Sequence, residues 1–338
     1  MLQSYPLILQ QERILAMYKP TTNQHYVWRY YLAPWTKNNS PEGQIACLRD
    51  KKPFPVSLMK IAQENCFYGV KELSSTERML IYLMTIQSKT GVQREIHEGW
   101  LNLYCAPFDF ANQLAELGCS IFGHADRYEI KKEQEFKNWN IEQVEKIHVQ
   151  IETTGMPYIS MLRQNNLNFW NDEEDRDKFC FFLCNQYFRT KKIRDGIITA
   201  LGKFKQELSD FSDIQPKNMW LPLSLIYASD LGVHIAHSYS AVLLRSDNLS
   251  FIVGDQPVIN TYATFDMTTP PMDVELFYPL TPHSALLLTT KPQYTNGQIL
   301  KISADEVEKY NELEHRAARE MIFAKECRLL DTFTPSDN

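Results

Sequence analysis

A histidine with an arginine four residues on is the first chemistry-bearing pair in the chain: His25, preceded by Gln24, and Arg29, within QHYVWRYYLAPW. On one helix face such a pair joins a general base to a cation that can hold a phosphate. The same residues also suit a capping histidine packed under aromatics. A second candidate is the string NQYFRTKKIRD, where Gln186, Arg189, Lys191, Lys192 and Arg194 interleave with Tyr187 and Phe188. Binding of a phosphodiester backbone and an ordinary solvated helix face both produce such a string. Asp255 closes an apolar run in FIVGDQPVI. A carboxylate fixed at a strand end beside a cleft suits metal or acid-base chemistry, and an Asx turn capping Gln256-Pro257 is the structural alternative.

Two further groupings are weaker. His234 and His237 stand at i and i+3, a spacing that lets a helix offer two ligands to one metal, but the i, i+4 pair with an intervening glutamate is missing. Ordinary helix-end histidines are the alternative. Glu145 and Glu152, seven apart, share a helix face and could add carboxylates or point to solvent. No G-x-S-x-G, Walker A, G-x-G-x-x-G or H-E-x-x-H motif occurs, which sets aside the hydrolase, P-loop, dinucleotide and zincin readings. A divalent metal is compatible with these residues and not demanded by them.

The elements that must position these side chains follow from periodicity. An apolar stretch at the start reads as a helix, and QHYVWRYYLAPW reads as a short helix ended by Pro34. QIACLRD and PFPVSLMKI read as two strands around a polar turn, with NCFYGV a third. Ser74 with Glu77 forms a capping box ahead of RMLIYLMTI. Helices are expected near 75–88, 93–118, 140–165 and 173–208, the third interrupted at Pro157 and the fourth opened by the acidic NDEEDRD. WLPLSLIYASDLGVHIAHS continues as helix. The period then drops to two in YSAVLLRS, FIVGDQPVI, ELFYPLTP and SALLLTT, before a terminal helix from Ala304 through MIFAKE with Ser303 and Glu306 as its box. The expected fold is α+β and helix-rich: one domain over 1–338, with N-terminal and C-terminal strands forming a sheet around a helical insertion at 75–210.

Composition bounds the function. The chain has 338 residues and only 12 glycines, where about 24 would be usual, so glycine-built phosphate loops and tight all-β meanders are disfavoured. A net charge of −6 means that any nucleic-acid contact must be local, and the basic segment at 186–194 is where it would be sought. Seven cysteines make an odd total without a C-x-x-C pair, the pattern of reduced, buried cytosolic thiols. The start lacks a basic n-region and a cleavage site, and no window approaches about 18 uncharged apolar residues, so a cytoplasmic chain without a membrane span is expected.

Several of these segments together resemble a bacterial domain-of-unknown-function family, number 4238. They are QHYVWRYYLAPW, the strand pair leading to ENCFY, NQYFRTKKIR, FIVGDQPV and FYPLTP. The chain departs from that pattern at Trp28, where the family usually has proline, and at Gly254-Asp255-Gln256-Pro257, where it usually has Ser-Asp-x-Pro. Some members are stand-alone antiphage defence genes, so the resemblance implies a defence role.

Two functions are compatible with that role. In the first, which is the leading reading, the chain is a nuclease acting on RNA. His25 is then general acid or base, Arg29 and Arg189 stabilise the charged transition state, and Asp255 orients the histidine or holds a divalent ion. Gln186, Lys191, Lys192 and Arg194 bind the substrate backbone. In the second, the chain is a non-catalytic defence protein that binds a phage or host protein through an aromatic-rich surface, as a monomer or a homo-oligomer. The motif residues are then buried structural groups, with Arg189 paired to Glu145 or Glu152 and His25 bonded to the Asp255 turn. Burial separates the two: catalysis needs an open, positively lined cleft.

Overall fold

The computed structural model describes residues 23–50, 52–116, 127–264 and 271–334. The helix expected at the start lies outside the described residues. The fold is α+β and helix-rich. Its helices are α1 (Arg29–Leu32), α2 (Ser75–Thr85), α3 (Gly91–Glu116), α4 (Arg127–Arg163), α5 (Glu173–Phe188), α6 (Lys191–Glu207), α7 (Pro216–Ser238) and α8 (Ala304–Ala317). Its strands fall in three sheets. β1 (Asn23–His25) pairs with β4 (Gln63–Asn65), and β2 (Gln44–Arg49) and β3 (Lys52–Ser57) join β11 (Ile322–Ala324) and β6 (Val253–Gly254) in the order β3-β2-β11-β6. The third sheet, in the order β10-β5-β9-β8-β7, holds β5 (Ser240–Arg245), β7 (Ile259–Asn260), β8 (Leu276–Thr281), β9 (Ser284–Thr289) and β10 (Ile299–Lys301). N-terminal and C-terminal strands thus share a sheet, while most C-terminal strands make a sheet of their own.

Capping sets the helix starts. Ser74 Oγ accepts from Glu77 N at 3.1 Å and Glu77 Oε2 accepts from Ser74 N at 2.8 Å. The other oxygen of Glu77 accepts from Gln215 N at 2.7 Å, so the cap also ties α2 to the start of α7. Asp172 caps α5 ahead of three acidic residues, and Ser303 with Glu306 caps α8. The backbone at Trp28 has φ −76° and ψ 141°, a conformation that proline adopts without strain.

α7 is buried almost all round, with Trp220, Leu223, Ile226 and Ile235 in the main core. Two of the scarce glycines allow helices to close on α5. A Cβ at Gly155 of α4 would lie 2.3 Å from the Phe182 ring, and one at Gly232 of α7 would meet the Phe181 backbone at 3.1 Å. Pro157 sits inside α4, which continues through it.

Several elements differ from the sequence-based expectation. The helix expected over 173–208 is two, because Arg189 leaves helical geometry (φ −88°, ψ 16°) and sends its side chain inward. FIVGDQPVI divides between β6 and β7 in different sheets, broken at Pro257, which cannot donate to a ladder. In NCFYGV only Asn65 is strand, since the chain turns at Cys66 with φ 52°. The terminal helix stops at Ala317, and Ile322–Ala324 becomes the strand between β2 and β6. All six cysteines among the described residues are free. Among the described residues no helix is long and apolar enough to cross a membrane.

Candidate functional site

The break between α5 and α6 builds a concentrated group of buried polar side chains. Arg189, 1% exposed, turns inward. Its Nη2 donates to the His25 carbonyl at 3.2 Å and pairs with Glu152 of α4. Nε and Nη1 have no hydrogen-bond partner among the described residues. Burial opposes the guanidinium charge, but the Tyr68 hydroxyl and the Glu152 and Glu145 carboxylates outweigh it and hold its pKa above the ordinary value. Tyr68 in turn stacks on His148, ring centroids 4.2 Å apart, and its N–H donates to Gln24 Oε1 at 2.9 Å. His148 is pushed well below the usual imidazole range by burial and by Arg189, so its ring is neutral. Burial raises Glu145, with Arg189 pulling the other way.

The sequence candidates divide among several places. His25 meets Arg189 through its backbone carbonyl; its imidazole is lowered by burial, by Arg29 and by Arg189. Arg29 itself reaches the Met59 sulfur. Gln186 is buried with Nε2 unpartnered. Asp255 is sealed elsewhere: its carboxylate accepts from Arg319 N at 2.6 Å and Glu320 N at 2.9 Å, holding the turn between α8 and β11. Burial pushes Asp255 up to about 6 in spite of those bonds. Thr190 Oγ1 donates to Gln256 Oε1, so the two motifs touch beside Arg189 and Asp255, not through them.

The basic string is engaged internally. Lys191 Nζ lies 3.0 Å from Glu64 and 3.1 Å from Glu320, and sits over the Tyr26 ring. Arg194 pairs with Glu64 at 2.8 Å and covers the Phe67 ring. Burial works against the Glu64 charge, but Arg194 and Lys191 outweigh it and keep its carboxyl below the ordinary range. Lys192 Nζ donates to the Ala317 carbonyl at 2.7 Å, capping the α8 C-terminus, and burial lowers it to about 8.

The histidine pair diverges. His234 packs edge-on to Tyr239, whereas His237 joins Glu173 and Asp177, with ligand atoms all within 4.8 Å of one another. These three could hold a divalent metal.

A cleft of about 550 Å³ between α3, α4 and α7 carries a feature that the sequence reading missed. Its walls include Trp100, Leu103, Tyr104, Phe110 and Trp139. The polar tips of two of them are already committed, since Trp100 Nε1 donates to Ser229 Oγ at 2.8 Å and the Tyr104 hydroxyl donates to the Lys71 carbonyl at 2.9 Å. Asn140 and His148 also line it, 3% and 2% exposed, and Asn140 Oδ1 and both His148 nitrogens lack hydrogen-bond partners. Size, apolar walls and a few polar groups are the marks of a ligand site. The available signal was an apolar stripe on α4, Val144, Ile147 and Ile151, interrupted by Asn140 and His148 at helical spacing.

The profile of the family described as "Protein of unknown function (DUF4238)" matches residues 114–327. The chain belongs to this family. The matched family region runs from the end of α3 past β11 and includes Glu152, Arg189 and Asp255, while His25 and Tyr68 reach the same polar group from outside it. No curated protein and no solved structure shows a match.

Proposed function

We propose that the chain is an antiphage defence protein that acts by binding a phage or host protein at its aromatic α3–α4 face, without catalysing RNA cleavage. The defence role rests on the resemblance of its motifs to those of family members found as defence genes. The observation that favours binding over cleavage is the sealing of Arg189, which is 1% exposed and ion-paired to Glu152. A nuclease must admit a polymer backbone to its cationic groups, and Lys191 and Arg194 already pair with Glu64. The α3–α4 face offers what a protein interface uses. Phe110 is 60% and Trp139 45% exposed, and Ile96, Leu103 and Phe110 recur every seven residues along one side of α3.

Phage plaque assays with Phe110→Asp and Trp139→Asp test the reading. Protection is expected to fall in both, while the thermal unfolding midpoint of Phe110→Asp stays within about 2 °C of wild type, since changes at a mostly exposed side chain shift stability by only about 0.5 kcal/mol. Progressive loss of host or phage RNA in protected cells, abolished by His25→Ala at unchanged stability, would return the assignment to a nuclease.

A further inference from the structure

The acidic start of α5 holds more carboxylates than its cap requires. Asp172 accepts from Asp175 N at 2.9 Å as the N-cap, Asp175 accepts from the Tyr158 hydroxyl at 2.8 Å, and Glu174 pairs with Lys178 at 2.6 Å. Arg176 turns away from the run and donates to the Trp170 carbonyl at 3.0 Å. Glu173 and Asp177 remain, one turn apart on the same helix face. The last turn of α7 comes close to that face, because Gly232 lets the two helices approach until a Cβ there would meet the Phe181 backbone at 3.1 Å. From that turn His237 brings its imidazole to the two carboxylates.

The spacing suits a metal ion better than a hydrogen bond. His237 Nε2 stands 3.6 Å from Asp177 Oδ1, beyond hydrogen-bond length. In a tetrahedral zinc site, with bonds of about 2.0–2.2 Å, neighbouring donor atoms stand about 3.4 Å apart. One donor atom each from Glu173, Asp177 and His237 lie within 4.8 Å of one another, and Glu173 is exposed, so a rotation of its side chain brings the third ligand in. The Asp177 oxygen nearest the ring is covered and without a hydrogen bond. Yet 43% of the Asp177 side chain and 45% of the His237 side chain stay exposed, so a turn of the carboxylate meets an ion arriving from solvent. The donor set names the class of ion. An imidazole nitrogen suits zinc and its first-row neighbours, whereas magnesium and calcium take shells of oxygen, and the two carboxylates balance a double positive charge. We infer that Glu173, Asp177 and His237 form a zinc site that joins the start of α5 to the end of α7, with water as the fourth ligand. His234 takes no part, since it packs edge-on to Tyr239. The site is independent of the partner bound at the α3–α4 face.

The test titrates the full chain, freed of metal with a chelator, with zinc chloride in a calorimeter. One equivalent is expected to bind and to raise the thermal midpoint. His237→Ala and Glu173→Gln should each weaken binding by at least about tenfold, since even residues that only orient a ligand cost that much. His234→Ala should leave it unchanged, and magnesium should not compete at the same concentration. Cobalt(II) in place of zinc should give the intense visible absorption of four-coordination, lost in His237→Ala. Should His237→Ala not fold, Glu173→Gln at its exposed position carries the same comparison. Absence of zinc binding overturns the inference. So does equal affinity in His237→Ala, which would put the ion on cysteines or other histidines, and so does equal binding of magnesium, which would leave the imidazole out of the site.

Discussion

Removing Glu152 is the sharpest perturbation of the buried polar group. Arg189 and Glu152 have side-chain exposures of 2% and 19%, so solvent screens the arginine hardly at all. Breaking a buried pair from the carboxylate side leaves an uncompensated charge, at a typical cost of about 3–5 kcal/mol. Tyr68 and Glu145 still face the guanidinium, which puts Glu152→Ala near the lower end of that range. For a chain of this length, unfolding as one unit, the loss corresponds to roughly 4–7 °C in the midpoint. Arg189→Met is expected to cost less, because it also removes the unpartnered Nε and Nη1 and leaves a carboxylate with some access to water. The double variant should therefore lie well above the sum of the singles, with a coupling of about 2 kcal/mol. Urea unfolding followed by circular dichroism and by tryptophan fluorescence, with coincident transitions, measures all three. A cost below about 1 kcal/mol for Glu152→Ala, or strict additivity in the double variant, would refute a sealed pair and reopen the case for a solvent-accessible, catalytic Arg189.

Gly155→Ala should destabilise by about 1–3 kcal/mol through overpacking against Phe182, whereas Gly202→Ala in α6, with nothing within 4 Å, should stabilise by about 0.5–1 kcal/mol; thermal unfolding of both separates contact from propensity. Burial holds the Glu314 carboxyl well above its ordinary range, so the stability tied to its protonated form is present at acid pH and lost as pH rises through that raised value. Glu314→Gln can keep the bond from Gly254 N, and its urea midpoint should fall less between pH 5 and 8 than that of wild type; parallel curves would contradict this. Asp255→Ala strands the Arg319 and Glu320 amides and should cost about 2–3 kcal/mol in urea unfolding, with a shift under 1 kcal/mol counting against the structural role.

What could be read from the sequence was what local chemistry decides. Ser74–Glu77 and Ser303–Glu306 announce their helices because a capping box satisfies its own backbone groups without help from elsewhere. The α5–α6 break could not be read, since neither glycine nor proline marks it and its cause is a distant carboxylate on α4 drawing Arg189 inward. MIFA continues a helical pattern locally and becomes β11 because β2 and β6 supply ladder partners on both sides. At the site, the motif residues His25 and Arg189 do meet, but Asp255 takes its place from the turn that it holds. Asn140 and His148 escaped notice because two polar residues on an apolar stripe look like ordinary variation until the facing helices show them buried.

A motif centred on a sealed arginine needs an explanation when that arginine does not touch a substrate, and His148 supplies one. The imidazole lines the cleft, Tyr68 stacks on it and Arg189 acts on it electrostatically. Tyr68 is itself fixed by Gln24, the neighbour of His25, and Arg189 by Glu152, one helical turn beyond His148 on α4. Burial first, and the Arg189 charge after it, keep the ring neutral, so this end of the cleft carries no formal charge. In this arrangement the motif residues position one wall of a cleft that they do not line. Loss of Arg189 should then disturb the cleft through His148 while leaving Asn140 in place. A nuclease active site would instead lose its chemistry there and leave the cleft unchanged.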